Sequence, residues 1–287
     1  MANQQVTKQS QNGLKRFNAM LENTRTQEYL SSVLGEKKQT FVGNMVALVA
    51  NSKMLMDCDP STVMFSCLKS AALDLSLDPV LGLSYVIPFR DNKNNTTVAT
   101  WQLGSKGYVQ LALRSAQFRK LNVRDVREGE IVDEDFVSGE MRFKRLQKDR
   151  ESAPIVGYVA YMQLVNGFEK QLYMSVEELE SHAKRFSQTY RRGYGPWADK
   201  YMKSQMMEKT VLKRLLSKYA PLSVEMRDAI RSDYAVLGEN DSVRYIDNEE
   251  SAIDFDKAQQ VAEQFADFDE IVNGEENVKD DNTASDK

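Results

Sequence analysis

Apolar positions recur at helical spacing in the first third of the chain, in short alternating or continuous runs through the middle, and at helical spacing again before a polar end. Residues 1–35 are polar with scattered apolar positions, which predicts a flexible arm and one weak helix over 17–30. In 38–57, Phe41, Met45, Leu48, Val49 and Leu55 mark one helical face. Asp59-Pro60-Ser61 supplies a cap and a first-turn proline for a further helix, which Asp78-Pro79 stops. The runs 83–89 and 96–103 flank the turn cluster Asp91-Asn92-Lys93-Asn94-Asn95 and predict a hairpin. A helix follows over 108–117, then extended runs over 118–126 and 129–132, with a turn at Val137-Ser138-Gly139-Glu140. Asn166-Gly167 joins the runs 155–165 and 168–174 and is the strongest short hairpin signal in the chain. Ser175 and Glu178 have capping-box spacing, opening a helix to about Phe186. Helices over 197–219 and 223–234 complete the pattern.

This order is not a regular βαβ alternation. It predicts an α+β fold: antiparallel β-hairpins packed with several helices, helical ends, and a disordered acidic C-terminal tail. The boundaries read as a flexible arm with a weak helix over 1–35, a core over 36–238, and an acidic, largely disordered tail over 239–287.

Charge is distributed unevenly. The net charge of −4 combines 15 acidic and 4 basic residues from position 241 onward with 34 basic and 27 acidic residues before it. A mildly basic body attracts a polyanion, and an acidic tail repels one, competes with it, or simply solubilises the chain. No run of about 18 apolar residues predicts a membrane helix. The polar first residues lack the apolar segment of a signal peptide, and Cys58 and Cys67 read as reduced thiols, so a cytoplasmic location is expected.

Several chemistries lack their residues. There is no phosphate-loop sequence, and Gly104 and Gly107 are too few for a dinucleotide fingerprint. His182, the single histidine, follows Glu178 by one helical turn; that spacing suits a metal, an oriented base or an ordinary helix residue. Asp133-Glu134-Asp135 and Glu177-Glu178-Glu180 are runs of neighbours, whereas a two-metal nuclease needs carboxylates converging from separate elements.

Basic and aromatic residues interleave twice. In the first segment, Trp101, Gln102, Lys106, Tyr108 and Arg114 surround Gly104 and Gly107 at a strand-to-helix junction. Free amides at a helix start can hold a phosphate and Lys106 adds a charge; the alternative is a tight turn with a solvated lysine. The second segment, 184–218, includes Lys184, Arg185, Arg191, Arg192, Lys209, Lys213 and Arg214, with Tyr190, Tyr194, Trp197 and Tyr201 among them. Phosphates take lysine and arginine, and unpaired bases take flat rings. Lys209 and Lys213 lie one turn apart and are expected to line one groove wall, so that removing both leaves the fold intact and abolishes the groove's function. The alternative is a solvated helix with an aromatic core contact.

The same segments carry a resemblance. Leu77-Asp78-Pro79, Tyr85-Val86-Ile87-Pro88-Phe89, the run from Gln102 through Lys106-Gly107-Tyr108 to Arg114-Ser115, Met174-Ser175 with Glu177-Glu178, His182-Ala183-Lys184, Pro196-Trp197 and the run from Lys209 to Leu216 occur in an order and spacing similar to the RecT family of phage and prophage annealing proteins, relatives of Redβ. The likeness spans roughly 30–223. It implies a protein that is not an enzyme: it binds single-stranded DNA, oligomerises along it as a filament or ring, and anneals a second strand without ATP. No cofactor is implied, with Mg²⁺ left open as an aid to DNA binding. The implied partners are single-stranded DNA and the annealed duplex, a phage exonuclease, and the host single-strand-binding protein at the C-terminal region. A single-strand-protecting protein without annealing activity is the competing reading.

Overall fold

The computed structural model describes residues 2–193, 195–239 and 242–245, with side-chain surroundings from residue 12 onward except at Gln188. The N-terminal helices are α1 (Ala2–Glu22), α2 (Thr24–Leu34), α3 (Lys38–Ala50), α4 (Lys53–Met56) and α5 (Pro60–Ala72). Then come β1 (Ser84–Asp91), β2 (Thr96–Leu103), α6 (Ser105–Arg114), β3 (Phe118–Arg127), β4 (Ile131–Asp135), β5 (Glu140–Phe143), β6 (Ile155–Leu164) and β7 (Glu169–Ser175). The chain continues through α7 (Val176–Phe186), α8 (Gln188–Arg191), α9 (Lys200–Tyr219), α10 (Val224–Ser232), β8 (Ala235–Leu237) and β9 (Val243–Tyr245). The fold is α+β with antiparallel pairing throughout: a sheet ordered β1-β2-β8-β9, a sheet ordered β3-β6-β7, and the hairpin β4-β5.

Short polar side chains set the helix boundaries. Asp59 accepts from the Ser61 amide and Pro60 takes the first helical position, so α5 starts where the sequence predicts. Both bonds of the Ser175–Glu178 capping box form at the start of α7. Helix α5 ends at Ala72, ahead of the Asp78-Pro79 stop, where Asp74 takes a left-handed φ of +49°. Two other boundaries differ from expectation for a shared reason. Ser52 caps the Leu55 amide and breaks the 38–57 helix into α3 and α4. Asp199 caps the Met202 amide, so α9 starts at Lys200 rather than at Trp197.

The N-terminal arm is corrected more substantially. Residues 2–34 form two helices, and Phe17, Leu21 and Leu30 are buried against Met45, Val49, Val63 and Cys67. Burying such side chains is worth about 1.5–3 kcal/mol each, which binds this segment to the body. The other large cluster joins Trp101 and Leu103 of β2 to Tyr108 and Leu111 of α6, Tyr158, Ala160 and Met162 of β6, and Leu212, Leu215 and Leu216 of α9. Helix α5 is attached to the first sheet by polar bonds: Thr62 Oγ1 accepts from the Ala99 amide at 2.9 Å, and Ser70 Oγ accepts from Trp101 Nε1 at 2.8 Å. Strands β8 and β9 were not foreseen; they are short, and β8 joins β2 through the pair Trp101–Ala235. The acidic tail, with Phe255, Val261, Phe265, Phe268 and Ile271, lies outside the described residues.

Candidate nucleic-acid interface

The junction of β2 and α6 is held from behind by one carboxylate. Asp233, just after α10, has a fully buried side chain. Its Oδ1 accepts from the Leu103 amide at 3.0 Å, and its Oδ2 accepts from Tyr108 Oη at 2.8 Å. Lys213 Nζ lies 2.9 Å from Oδ2, and Lys209 Nζ lies 3.4 Å from Oδ1. The Tyr234 ring covers both ammonium groups, 4.4 Å from Lys209 and 5.6 Å from Lys213, and its hydroxyl accepts from Lys209 Nζ at 3.1 Å. Burial alone would raise the Asp233 pKa; the Lys209 and Lys213 charges, with bonds from Lys213 and Tyr108, outweigh it and hold the carboxyl below its ordinary value. Burial lowers the Lys209 pKa against the pull of Asp233. Burial and the Asp233 charge push the Tyr108 phenol well up. Tyr234 adopts a left-handed backbone, φ +69°, while its amide donates to the Trp101 carbonyl. Such a residue costs about 1–3 kcal/mol unless its surroundings fix it, and here the lysines and β2 do so.

This geometry corrects part of the sequence-based site. Trp101 is wholly buried with its indole N–H bonded to Ser70, so neither ring face is open to a base. Tyr108 is equally buried and serves Asp233. Lys209 is 7% exposed and belongs to the same hub, so Lys209 and Lys213 do not form a solvated groove wall. Arg114 donates to the carbonyls of Leu73 at 2.6 Å and Asp74 at 2.7 Å and clamps the turn after α5. The glycines also have an internal reason. A Cβ on Gly104 would lie 2.0 Å from the Gly82 carbonyl oxygen, and one on Gly107 would lie 2.1 Å from that of Leu83. Their missing side chains let α6 pack against the loop before β1.

What remains at the surface is cationic. Lys106 is exposed in the first turn of α6, whose N-cap, Gly104, has no side chain to satisfy the leading amides. Gln102 is half-buried on β2. Lys184, Arg185, Arg191 and Arg192 are exposed on α7, α8 and the turn that follows. Arg191 also donates to the Arg185 carbonyl at 2.9 Å, closing the end of α7, and Arg185 lies over the Phe186 ring at 5.1 Å. Arg214 is exposed on α9.

His182 reports where these helices meet. Burial, then the charges of Arg214, Lys213 and Arg185, push its pKa down to about 4. The imidazole packs against the Phe186 ring at 4.6 Å. Among the aromatics of this region, Trp197 is buried with Tyr190 edge-on at 5.4 Å, Tyr194 lies outside the described residues, and Tyr201 is 75% exposed. Among the described residues, no three His, Cys, Asp or Glu side chains converge as metal ligands would.

The sequence reading missed two sets of cations. Lys120 and Arg124 are exposed on β3, in register with Gln163 and Val159 of β6, and Lys144, Arg145 and Lys148 are exposed on the loop after β5. The period-two placement of Lys120, Asn122 and Arg124 is the signal that could have found the first set. Asp233 carried no local signal, because its partners lie 20 to 130 positions away.

A profile described as the RecT family matches residues 39–254. The chain is 35% identical over 225 residues to "Uncharacterized protein YqaK" of Bacillus subtilis, covering 76% of this chain and 74% of that one. It is 29% identical over 184 residues to "Protein RecT" of Escherichia coli, covering 62% of this chain and 65% of that one. The matched span contains the Asp233 hub, the α6 junction and the cations of α7 to α9, and the chain belongs to the RecT family.

Proposed function

We propose that this protein binds single-stranded DNA and anneals complementary strands without ATP, as an oligomer aligned along the strand. The observation that carries the reading is membership in the RecT family over residues 39–254, which implies single-strand annealing in recombination. The exposed Lys106, Lys184, Arg185, Arg192 and Arg214 suit a phosphate backbone, and Tyr201 suits an unpaired base. A strand held by its phosphates keeps its base edges outward, so Watson–Crick pairing supplies the specificity. One subunit spans only a few nucleotides, so neighbouring copies must continue the path. In this reading the protein is not an enzyme, requires no cofactor, with Mg²⁺ left open as an aid to binding, and works in the cytoplasm beside a phage exonuclease. The segment 239–287, acidic by composition, contacts a partner such as the host single-strand-binding protein rather than DNA. No described helix is long and apolar enough to cross a membrane.

The test is the rate at which two complementary oligonucleotides pair without nucleotide. Annealing well above the spontaneous rate is expected; tight binding without acceleration would identify a strand-protecting protein instead. Lys106→Ala should weaken single-strand binding and flatten its salt dependence, because each lost phosphate contact releases fewer counterions. An unchanged affinity and slope would remove Lys106 from the interface.

A further inference from the structure

The sheet β3-β6-β7 carries its helices on one face. Tyr158, Ala160 and Met162 of β6 point into the cluster they share with Leu212, Leu215 and Leu216 of α9, and Leu121 and Val123 of β3 pack against that cluster. Side chains alternate along a strand, so the residues between these face the other way. On this outer face Lys120, Asn122 and Arg124 of β3 lie in register with Gln163, Tyr161 and Val159 of β6, and those with Glu169, Gln171 and Tyr173 of β7. Lys120, Asn122 and Arg124 are exposed, and among the described residues no carboxylate pairs with Lys120 or Arg124. Four residues of extended chain set the two cations about 13 Å apart.

The β7 side of the face is bordered by acid. Gln171 Nε2 donates to the Met141 carbonyl at 2.8 Å and Lys170 Nζ donates to the Ser138 carbonyl at 2.7 Å, which sets the hairpin β4-β5 along β7. That hairpin carries Asp133, Glu134, Asp135 and Glu140, and Glu169 adds a carboxylate on β7 itself. A polyanion is turned away from this side and towards β3 and β6. There it meets Lys120, Arg124 and the half-buried ring of Tyr161. Tyr161 Oη donates to Glu169 Oε2 at 2.6 Å, so the ring is fixed in advance. Cations for the backbone and a fixed flat ring for a base are what an unpaired strand requires, and sheet faces with exposed aromatics receive single strands in other folds.

Helix α7 buries Leu179 and Ala183 in the same cluster as α9, so both helices lie on the inner face of the sheet. Their exposed cations, Lys184, Arg185 and Arg214, therefore stand across the sheet from Lys120 and Arg124. A short strand held by one set leaves the other open to a second strand. We infer that the outer face of β3 and β6 is a second single-strand surface, separate from the cations of α7 and α9, which holds the incoming strand. The inference rests on the annealing reading for its role. Two strands that must pair repel each other as polyanions, and a surface that carries the second raises its effective concentration beside the first. Two cations and one ring make this the weaker surface, so the strand can leave it as pairing proceeds.

The experiment loads the full chain with a donor-labelled oligonucleotide until its tight sites are filled. An acceptor-labelled oligonucleotide with no complementarity to the first is then titrated in at low salt, and energy transfer reports its capture. Wild type should capture it. Lys120→Ala with Arg124→Ala should do so about tenfold more weakly, with the log–log salt slope of capture reduced by about 1.4 for two lost phosphate contacts. Lys120→Glu with Arg124→Glu should abolish capture. Both positions are exposed, so folding should survive, and circular dichroism checks it. Affinity for the first strand should be unchanged, and annealing of a complementary second strand should slow in step with capture. A wild-type chain that captures no second strand overturns the inference, as does equal capture by the alanine variant. A parallel loss of first-strand affinity in a folded variant also overturns it, by placing β3 on the path of the first strand. Capture by wild type without faster pairing would sink the annealing reading and leave the second surface in place.

Discussion

The hub around Asp233 and the cluster on α7, α8 and the turn after them are both cationic, yet their surroundings are opposite. At the hub, Lys209 and Lys213 surrender hydration to one buried carboxylate, two phenols close over the pair, and the Leu103 amide is fixed in place. Lys184 and Arg185 on α7 and Arg192 on the turn after α8 are exposed. A buried ion pair contributes little net stability, but breaking it strands a charge; an exposed cation contributes almost nothing to the fold and remains available to a phosphate. The first region therefore decides whether the β2–α6 junction exists, and the second decides what the surface attracts.

The sharpest way to break this comparison is Asp233→Ala. It leaves two lysines facing each other without their carboxylate, and strips Tyr108 and the Leu103 amide of their acceptor. A loss of about 3–5 kcal/mol in urea unfolding is expected. A loss under about 1 kcal/mol would show the hub to be ornamental. By the same logic the double change Lys209→Ala, Lys213→Ala should unfold the chain more readily rather than leave a folded protein that cannot anneal. Gly107→Ala comes next. Its Cβ would sit 2.1 Å from the Leu83 oxygen, so the loop or α6 must move, at a cost of about 1–3 kcal/mol. A variant as stable as wild type would mean that the loop gives way freely.

Acid sharpens a second pairing. Hydrogen bonds from Arg150, with others from the Arg127 and Leu146 amides, hold the Glu130 carboxyl down at about 2, against an ordinary 4.5. Its folded value is depressed, so its contribution is complete above about pH 4.5 and is lost as pH falls towards 2. That contribution is on the order of 1–3 kcal/mol. Unfolding measured across this window should show the loss in wild type and a smaller one in Arg150→Ala. Parallel curves would detach Glu130 from acid stability.

Most of the fold was legible because its signals are local. Asn166-Gly167 marked β6 and β7, Ser175 with Glu178 marked α7, and Asp59-Pro60 marked α5. The candidate site was only half legible, because exposure is not local. Trp101, Tyr108 and Lys209 read as ligand-facing on residue type, but their environment is set by Ser70, Asp233 and Tyr234, far along the chain. Lys184, Arg185 and Arg192 have the same composition and do lie at the surface, since α7 buries Leu179 and Ala183 instead. Strands β8 and β9 have three residues each, too few for a period to register. Phe17, Leu21 and Leu30 carried helical spacing, but among polar neighbours they underpredicted two packed helices.

The smallest expected effect on stability carries the largest functional meaning. Lys184→Ala, Arg185→Ala and Arg192→Ala together change three exposed side chains, and Arg191 is kept because it closes the end of α7. Surface charges of this kind shift stability by no more than about 0.5 kcal/mol each, and the urea midpoint should barely move. Single-strand affinity should fall. The salt dependence should flatten by about 2 in log–log slope, since each phosphate contact on a single strand contributes about 0.7. The pairing of hub and cluster makes the two measurements informative together. If the triple variant loses stability and affinity in proportion, the cluster is part of the scaffold and the contrast with Asp233 fails. If it keeps both, the phosphates lie elsewhere, and the exposed cations of β3 and the loop after β5, Lys120, Arg124, Lys144, Arg145 and Lys148, become the next surface to remove.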